Sequence, residues 1–200
     1  MKKQVVVIHG GDAFSTYEKY ISFLKNFQID LERYRSERID WKRNLGKELG
    51  QNYEVILPEM PNKTNAKYVE WKIWFEKLIP YLNPEIILIG HSMGGVFLVK
   101  YLAEEKFPKK ILAVFLIAAP YDMDEGRPLV EFIPPNSLSQ FENQAVKVFL
   151  YHSKDDQIVN FAEFEKYQKS LKNVVSKAFT DRGHFNQESF PELVEDIKNL

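Results

Sequence analysis

Short apolar runs alternate with stretches of helical spacing along most of this chain. The runs are Val5–Ile8, Glu54–Leu57, Ile86–Ile89, Leu112–Ala118, Val146–Tyr151 and Ser176–Phe179. They read as nearly continuous Val/Ile/Leu segments, the pattern of strands covered on both faces. Between them, Trp41, Leu45 and Leu49 recur every four residues, and Gly50 stands where that helix should stop. Trp71, Trp74, Phe75 and Leu78 form a second stripe before Pro80, and a third helix should run from Met93 to Glu105. Phe161, Phe164 and Leu171 mark a fourth. Phe190, Leu193, Val194, Ile197 and Leu200 mark the last, with Pro191 suited to its first turn. The alternation predicts an α/β fold, a doubly wound parallel sheet with helices on both faces. No repeat or low-complexity tract interrupts it, so residues 1–200 read as one domain.

Two segments exceed the minimal alternation. Residues 14–40 are too long for a simple loop after the first strand. Ser15-Thr16-Tyr17-Glu18 can form a capping box, after which Tyr17, Tyr20, Ile21, Leu24 and Phe27 keep helical spacing. The mixed charges from Leu31 to Arg38 read as a solvated helix face, or as part of a lid. The second segment, Tyr121 to Asn143, sets Pro128, Pro134 and Pro135 beside Leu129, Phe132 and Ile133. It reads either as a pocket wall or as a connection packed on the core.

Composition narrows the class. Two hundred residues should bury roughly 70% of the unfolded chain's surface. With 44% hydrophobic and 28% charged residues, this is the make-up of a soluble globule. A net charge of −1 gives no electrostatic reason to bind nucleic acid or an anionic membrane. The absence of cysteine excludes disulfides, a thiol nucleophile and thiolate zinc sites. Met1-Lys2-Lys3 could open a signal peptide, but the apolar run behind it breaks at His9-Gly10-Gly11. No run approaches the roughly 18 apolar residues of a membrane span. A cytoplasmic protein acting on a small molecule is the expectation.

The chemistry centres on Gly90-His91-Ser92-Met93-Gly94, directly after the run Ile86–Ile89 and before the Met93 helix. A serine at so tight a strand–helix turn is pushed out at the top of the sheet, and glycines at 90 and 94 remove the clash. A serine hydroxyl is a weak nucleophile at its ordinary pKa and needs a base and an orienter. Four histidines are available. His9 and His91 read as packing and hydrogen-bonding residues near the site, and His152 is ambiguous. His184, in the loop after the last strand, is the candidate base. The acidic loop Ser153-Lys154-Asp155-Asp156 offers two carboxylates, one for orienting the imidazole and one for the turn. The order Ser, Asp, His along the chain is that of the α/β-hydrolases.

These features resemble the α/β-hydrolase superfamily and, more narrowly, the small serine hydrolases typified by retinoblastoma-binding protein 9. The resemblance rests on the Ser92 motif, on Ser153, Asp156 and Val159 at Ser-x-x-Asp-x-x-Val spacing, and on Gly183-His184-Phe185. Trp41 and Met60-Pro61 are similar too, while Gln157 replaces a frequent proline and residues 14–40 have no counterpart. It implies the α/β-hydrolase fold in a minimal six-stranded form lacking the N-terminal antiparallel hairpin. Family spacing assigns the orienting role to Asp156 rather than Asp155. An oxyanion hole would draw one N–H from Met93 and a second from Gly11, with Asp12 as the alternative. The expected activity is hydrolysis of a carboxylic ester or related acyl bond through an acyl-enzyme, with catalytic Ser92, Asp156 and His184. No cofactor or metal is required. An acyltransferase or thioesterase on the same residues is the alternative, as is a binding protein that has kept the fold without turnover.

Overall fold

A parallel strand cannot turn straight back onto its neighbour, so parallel pairing demands crossovers, and helices supply most of them here. The structure is a computed structural model that describes residues 1–31, 35, 40–123 and 128–200. Among these, six strands and seven helices follow in the order β1 (Lys3–Ile8), α1 (Tyr17–Asn26), α2 (Trp41–Leu49), β2 (Tyr53–Ile56), α3 (Tyr68–Leu78), β3 (Glu85–His91), α4 (Met93–Glu104), β4 (Lys110–Ile117), α5 (Ser139–Gln144), β5 (Val148–Ser153), α6 (Phe161–Ser170), β6 (Val174–Phe179) and α7 (Pro191–Lys198). The sheet order is β2-β1-β3-β4-β5-β6, every neighbouring pair parallel. The chain leaves β1 for one edge and returns past it to build the other side. The strand order therefore reverses between β1 and β3, and the carboxyl ends of those strands flank the crevice where doubly wound sheets bind ligands.

Alternation along the central strands divides the core in two. Val5, Val7, Ile87, Ile89, Phe115 and Ile117 face one side, under α2 and α7. Val6, Ile8, Ile86, Leu88, Val114 and Leu116 face the other, under α3, α4, α5 and α6. The edge strands β2 and β6 are only half-buried, unlike the four between them, because each lacks a neighbour on one side.

Helix ends follow their local chemistry. Asp40 caps α2 by accepting from the Arg43 amide, and Gly50 closes it at φ 85°. The predicted stripe on α3 is half realised: Trp71 and Phe75 are buried, whereas Trp74 is exposed. In α1 the cap is Thr16, accepting from Lys19, rather than the expected Ser15–Glu18 box. No residue of α1 is buried; its rings meet one another and Phe14 instead. The charged stretch from Leu31 to Arg38 falls largely outside the described residues, as do residues 124–127. No helix among the described residues is long and apolar enough to cross a membrane.

Central and edge positions should differ sharply in their contribution. Ile87→Ala in β3 should lower stability by about 2–5 kcal/mol in urea titrations, and Val175→Ala, on an exposed face of β6, by about 0.5 kcal/mol or less. Equal losses at the two positions would contradict this division of the core.

Candidate active site

Ser92 is the single residue between β3 and α4, and its backbone is left-handed, φ 55° and ψ −124°. A non-glycine residue held there stores strain of about 1–3 kcal/mol, which the surroundings must impose. They do so through the Ser92 amide, which donates to the Ile117 carbonyl at 2.8 Å, and the Ser92 carbonyl, which accepts from Gly95 at 2.8 Å. The turn also demands room. A Cβ on Gly94 would lie 2.2 Å from the Ile8 carbonyl oxygen, and one on Gly90 would lie 2.5 Å from that of Gly94. Only glycine lets α4 begin against the end of β1. The helix points its unpaired amides at the serine.

The loop after β1 closes over the same spot, since a Cβ on Gly10 would lie 3.1 Å from Ser92 Cβ. Gly11, Ser92 and Met93 line one small cavity of about 20 Å³, room for roughly one water or methyl group. Among the described residues, neither the Gly11 nor the Met93 amide has an acceptor, while the Asp12 amide donates to the Lys63 carbonyl at 2.8 Å. Of the two sequence candidates for the second donor, Gly11 thus keeps its N–H free. Asp12 also lines the cavity, and its remaining walls are Ala13, Pro120, Met123, Leu129, Ile158 and Val159. Met123 and Leu129 come from the proline-containing excursion, which serves as pocket wall at these points. Pro120 was missed in the sequence; its place just beyond a central strand's carboxyl end was the available signal.

Asp156 and His184 arrive from β5 and β6. The fully buried Asp156 carboxylate accepts from His184 Nδ1 at 2.8 Å through Oδ2. Its Oδ1 accepts from the Ile158 and Val159 amides at 2.8 and 3.0 Å. Asp155 does different work. It accepts from the Gly183 amide at 3.0 Å and from the Ser153 hydroxyl, and that hydroxyl in turn accepts from the Arg182 amide at 3.1 Å. The hydrogen bond from Ser153 is the chief reason the Asp155 carboxyl is held below its ordinary value. Each member of the acidic pair therefore grips the histidine loop, one by the side chain and one by the backbone. Among the described residues, His184 makes no hydrogen bond to the Ser92 hydroxyl. Hydrogen bonds between a nucleophile and its base tighten in the reacting complex.

The other histidines are structural in geometry. His9 Nε2 accepts from the Met60 amide at 2.9 Å, which leaves Nδ1–H to donate to the Gly10 carbonyl at 2.6 Å. His91 Nε2–H donates to the His184 carbonyl and His152 Nε2–H to the Val159 carbonyl, both at 2.9 Å. Burial lowers the pKa of all three, His91 furthest. Among the described residues, no group of three or more His, Asp or Glu side chains is arranged to hold a metal ion.

Known proteins share this architecture. The serine hydrolase family model matches residues 34–198, a span that includes Ser92, Asp156 and His184. The serine hydrolase RBBP9 of Rattus norvegicus is 26% identical over 164 residues, covering 80% of this chain and 84% of the relative. Among solved structures, the ydeN gene product from B. subtilis superposes with a TM-score of 0.72 at 19% identity, covering 99% of this chain and 98% of its own. A lipase-esterase related protein from Clostridium acetobutylicum gives 0.60 at 14% identity, covering 98% and 93%.

The buried histidines predict a pH dependence. Their ordinary pKa of 6.5 applies once the chain unfolds, while the folded protein keeps them neutral to lower pH. Below about pH 6.5 the unfolded state binds more protons, so stability must fall with pH. The urea midpoint should drop between about pH 7.5 and about pH 5.5; a flat or rising midpoint would contradict the neutral assignment.

Proposed function

The chain belongs to the serine hydrolase family, and from that premise we propose that it cleaves a carboxylic ester or related acyl bond with Ser92, His184 and Asp156. The observation that carries this reading is the 2.8 Å His184–Asp156 pair, its imidazole 4.9 Å ring to ring from His91, the residue just before a serine held in a strained strand–helix turn. Ser92 Oγ attacks the carbonyl carbon while His184 Nε2 takes its proton. Asp156 holds the Nδ1–H tautomer and stabilises the imidazolium. The carbonyl oxygen becomes an oxyanion facing the amides of Gly11 and Met93, each worth about 3 kcal/mol to the transition state. The tetrahedral species collapses as its bond to the leaving group breaks, and His184 returns the proton to the departing alcohol. Water then attacks the acyl-enzyme, deprotonated by the same imidazole, and releases the acid and the free serine.

The cavity supports a short acyl group. Apart from Asp12 and the Ser92 hydroxyl its walls are apolar, and its enclosed part of about 20 Å³ has room for a methyl group. If longer chains were accommodated, each further methylene would add about 0.8 kcal/mol of favourable burial, so the chain-length trend has a clear sign.

On p-nitrophenyl acetate, Ser92→Ala and His184→Ala should each lower kcat by about 10⁴–10⁶, and Asp156→Asn by somewhat less. Asp155→Asn should be milder than Asp156→Asn; the reverse order would reassign the orienter. Full turnover by Ser92→Ala would contradict the reading outright. In a chain-length series, kcat/KM should fall by about tenfold or more from acetate to octanoate, and Leu129→Ala should move the optimum to longer chains. A rising series in the wild type would contradict the short-acyl assignment.

A further inference from the structure

The base of the proposed triad stands on a loop outside any helix or strand. His184 lies between Gly183 at φ 50° and Phe185 at φ 52°, just beyond an edge strand. Asp156 restrains the ring at one atom, Nδ1, and Asp155 and Ser153 hold the backbone just before it through the Gly183 and Arg182 amides, which leaves the His184 and Phe185 carbonyls to be fixed from elsewhere. Two buried donors from other parts of the chain hold those carbonyls. His91, the last residue of β3, donates from Nε2 to the His184 carbonyl at 2.9 Å. Trp41, the first residue of α2, donates from Nε1 to the Phe185 carbonyl at 2.8 Å. The two rings meet edge to face, with centroids 6.1 Å apart, and the His91 ring lies 4.9 Å from that of His184.

We infer that His91 is a positioning residue for the base, its Nε2–H acting with Trp41 as a clamp on the His184 loop. The inference rests on the triad reading given above. His91 immediately precedes Ser92, so one peptide link fixes it to the nucleophile and one hydrogen bond fixes it to the base. The spacing of nucleophile and base is thereby set through a rigid, buried strand rather than through the long excursion of the chain from β3 to β6. Displacement of a reacting group by about 1 Å can lower turnover about a hundredfold. A neutral His91 also suits the task. Burial chiefly, together with the nearby Lys42, His184 and His9, opposes its protonation, so no fixed positive charge faces the imidazolium that forms on His184.

The test uses the donor's position. Glutamine can place an amide N–H near the place of Nε2, whereas the shorter asparagine reaches only that of Nδ1. Active sites are counted by stoichiometric fluorophosphonate titration, which removes any unfolded fraction, and kcat and KM are then measured on p-nitrophenyl acetate. His91→Asn should lower kcat per titrated site by about 10- to 100-fold with KM within about twofold, and His91→Gln should recover to within about threefold of wild type. Trp41→Phe, which keeps the ring and removes the second donor, should lower kcat in the same manner even if His91→Asn does not fold. Unchanged kcat per site in His91→Asn, or equal losses in asparagine and glutamine, would overturn the inference. So would an unchanged kcat in Trp41→Phe where His91→Asn cannot be titrated. Ser92→Ala, assayed on the same substrate per mole of folded protein because it offers no serine to titrate, separates the two readings: its turnover reports on the triad alone, whatever the His91 variants do.

Discussion

β3 passes into α4 through one residue, and the rest of the site depends on that constraint. With no loop to absorb the change of direction, Ser92 takes a left-handed backbone and the helix starts against the end of β1, where Gly94 faces the Ile8 carbonyl oxygen at a distance no side chain would permit. The strain is local, and the support for it is spread widely. The Ser92 amide is held by β4, its carbonyl by the first turn of α4, and β3 itself is buried along nearly its whole length. A rigid central strand is what allows a strained residue to persist at its tip.

The carboxyl edge of the sheet then collects the residues of the proposed site from distant stretches of sequence. Gly11 comes from the end of β1, Asp156 from the end of β5 and His184 from the end of β6. The last two are brought together by two acidic side chains with separate duties. Asp156 is buried and takes the imidazole, while Asp155 lies outside and takes the Gly183 amide. On its other side the same loop meets His91 and Trp41, so side chains from β3, α2 and the β5 loop all bear on the segment that carries His184, the proposed base.

Much of this was legible before any coordinates. The six strands lie where apolar runs predict them, and the four central ones leave the clearest signature because they are covered on both faces. The serine turn declared itself through its two glycines and its place between a strand and a helix. The family resemblance read in the sequence agrees with the serine hydrolase match over residues 34–198. What was hidden has physical reasons. The edge strands β2 (YEVI) and β6 (VVSKAF) keep short apolar runs around Glu54 and around Ser176-Lys177, so they read as strands without showing that only one side has a neighbour. The short α5 carries one buried apolar residue, Phe141, too little for a periodic pattern. Trp74 fits the α3 stripe by spacing and still faces solvent, because burial depends on what packs opposite. The different duties of Asp155 and Asp156 depend on the path of a loop 28 residues away, which local sequence does not encode.

The central claim is that this arrangement turns Ser92 into a nucleophile, and reaction with a fluorophosphonate probe tests it most directly. Intact mass followed by peptide mapping should find one adduct per chain, on Ser92, and none on Ser92→Ala. A folded wild type that takes no adduct, or one whose adduct survives the Ser92→Ala substitution, would contradict the account.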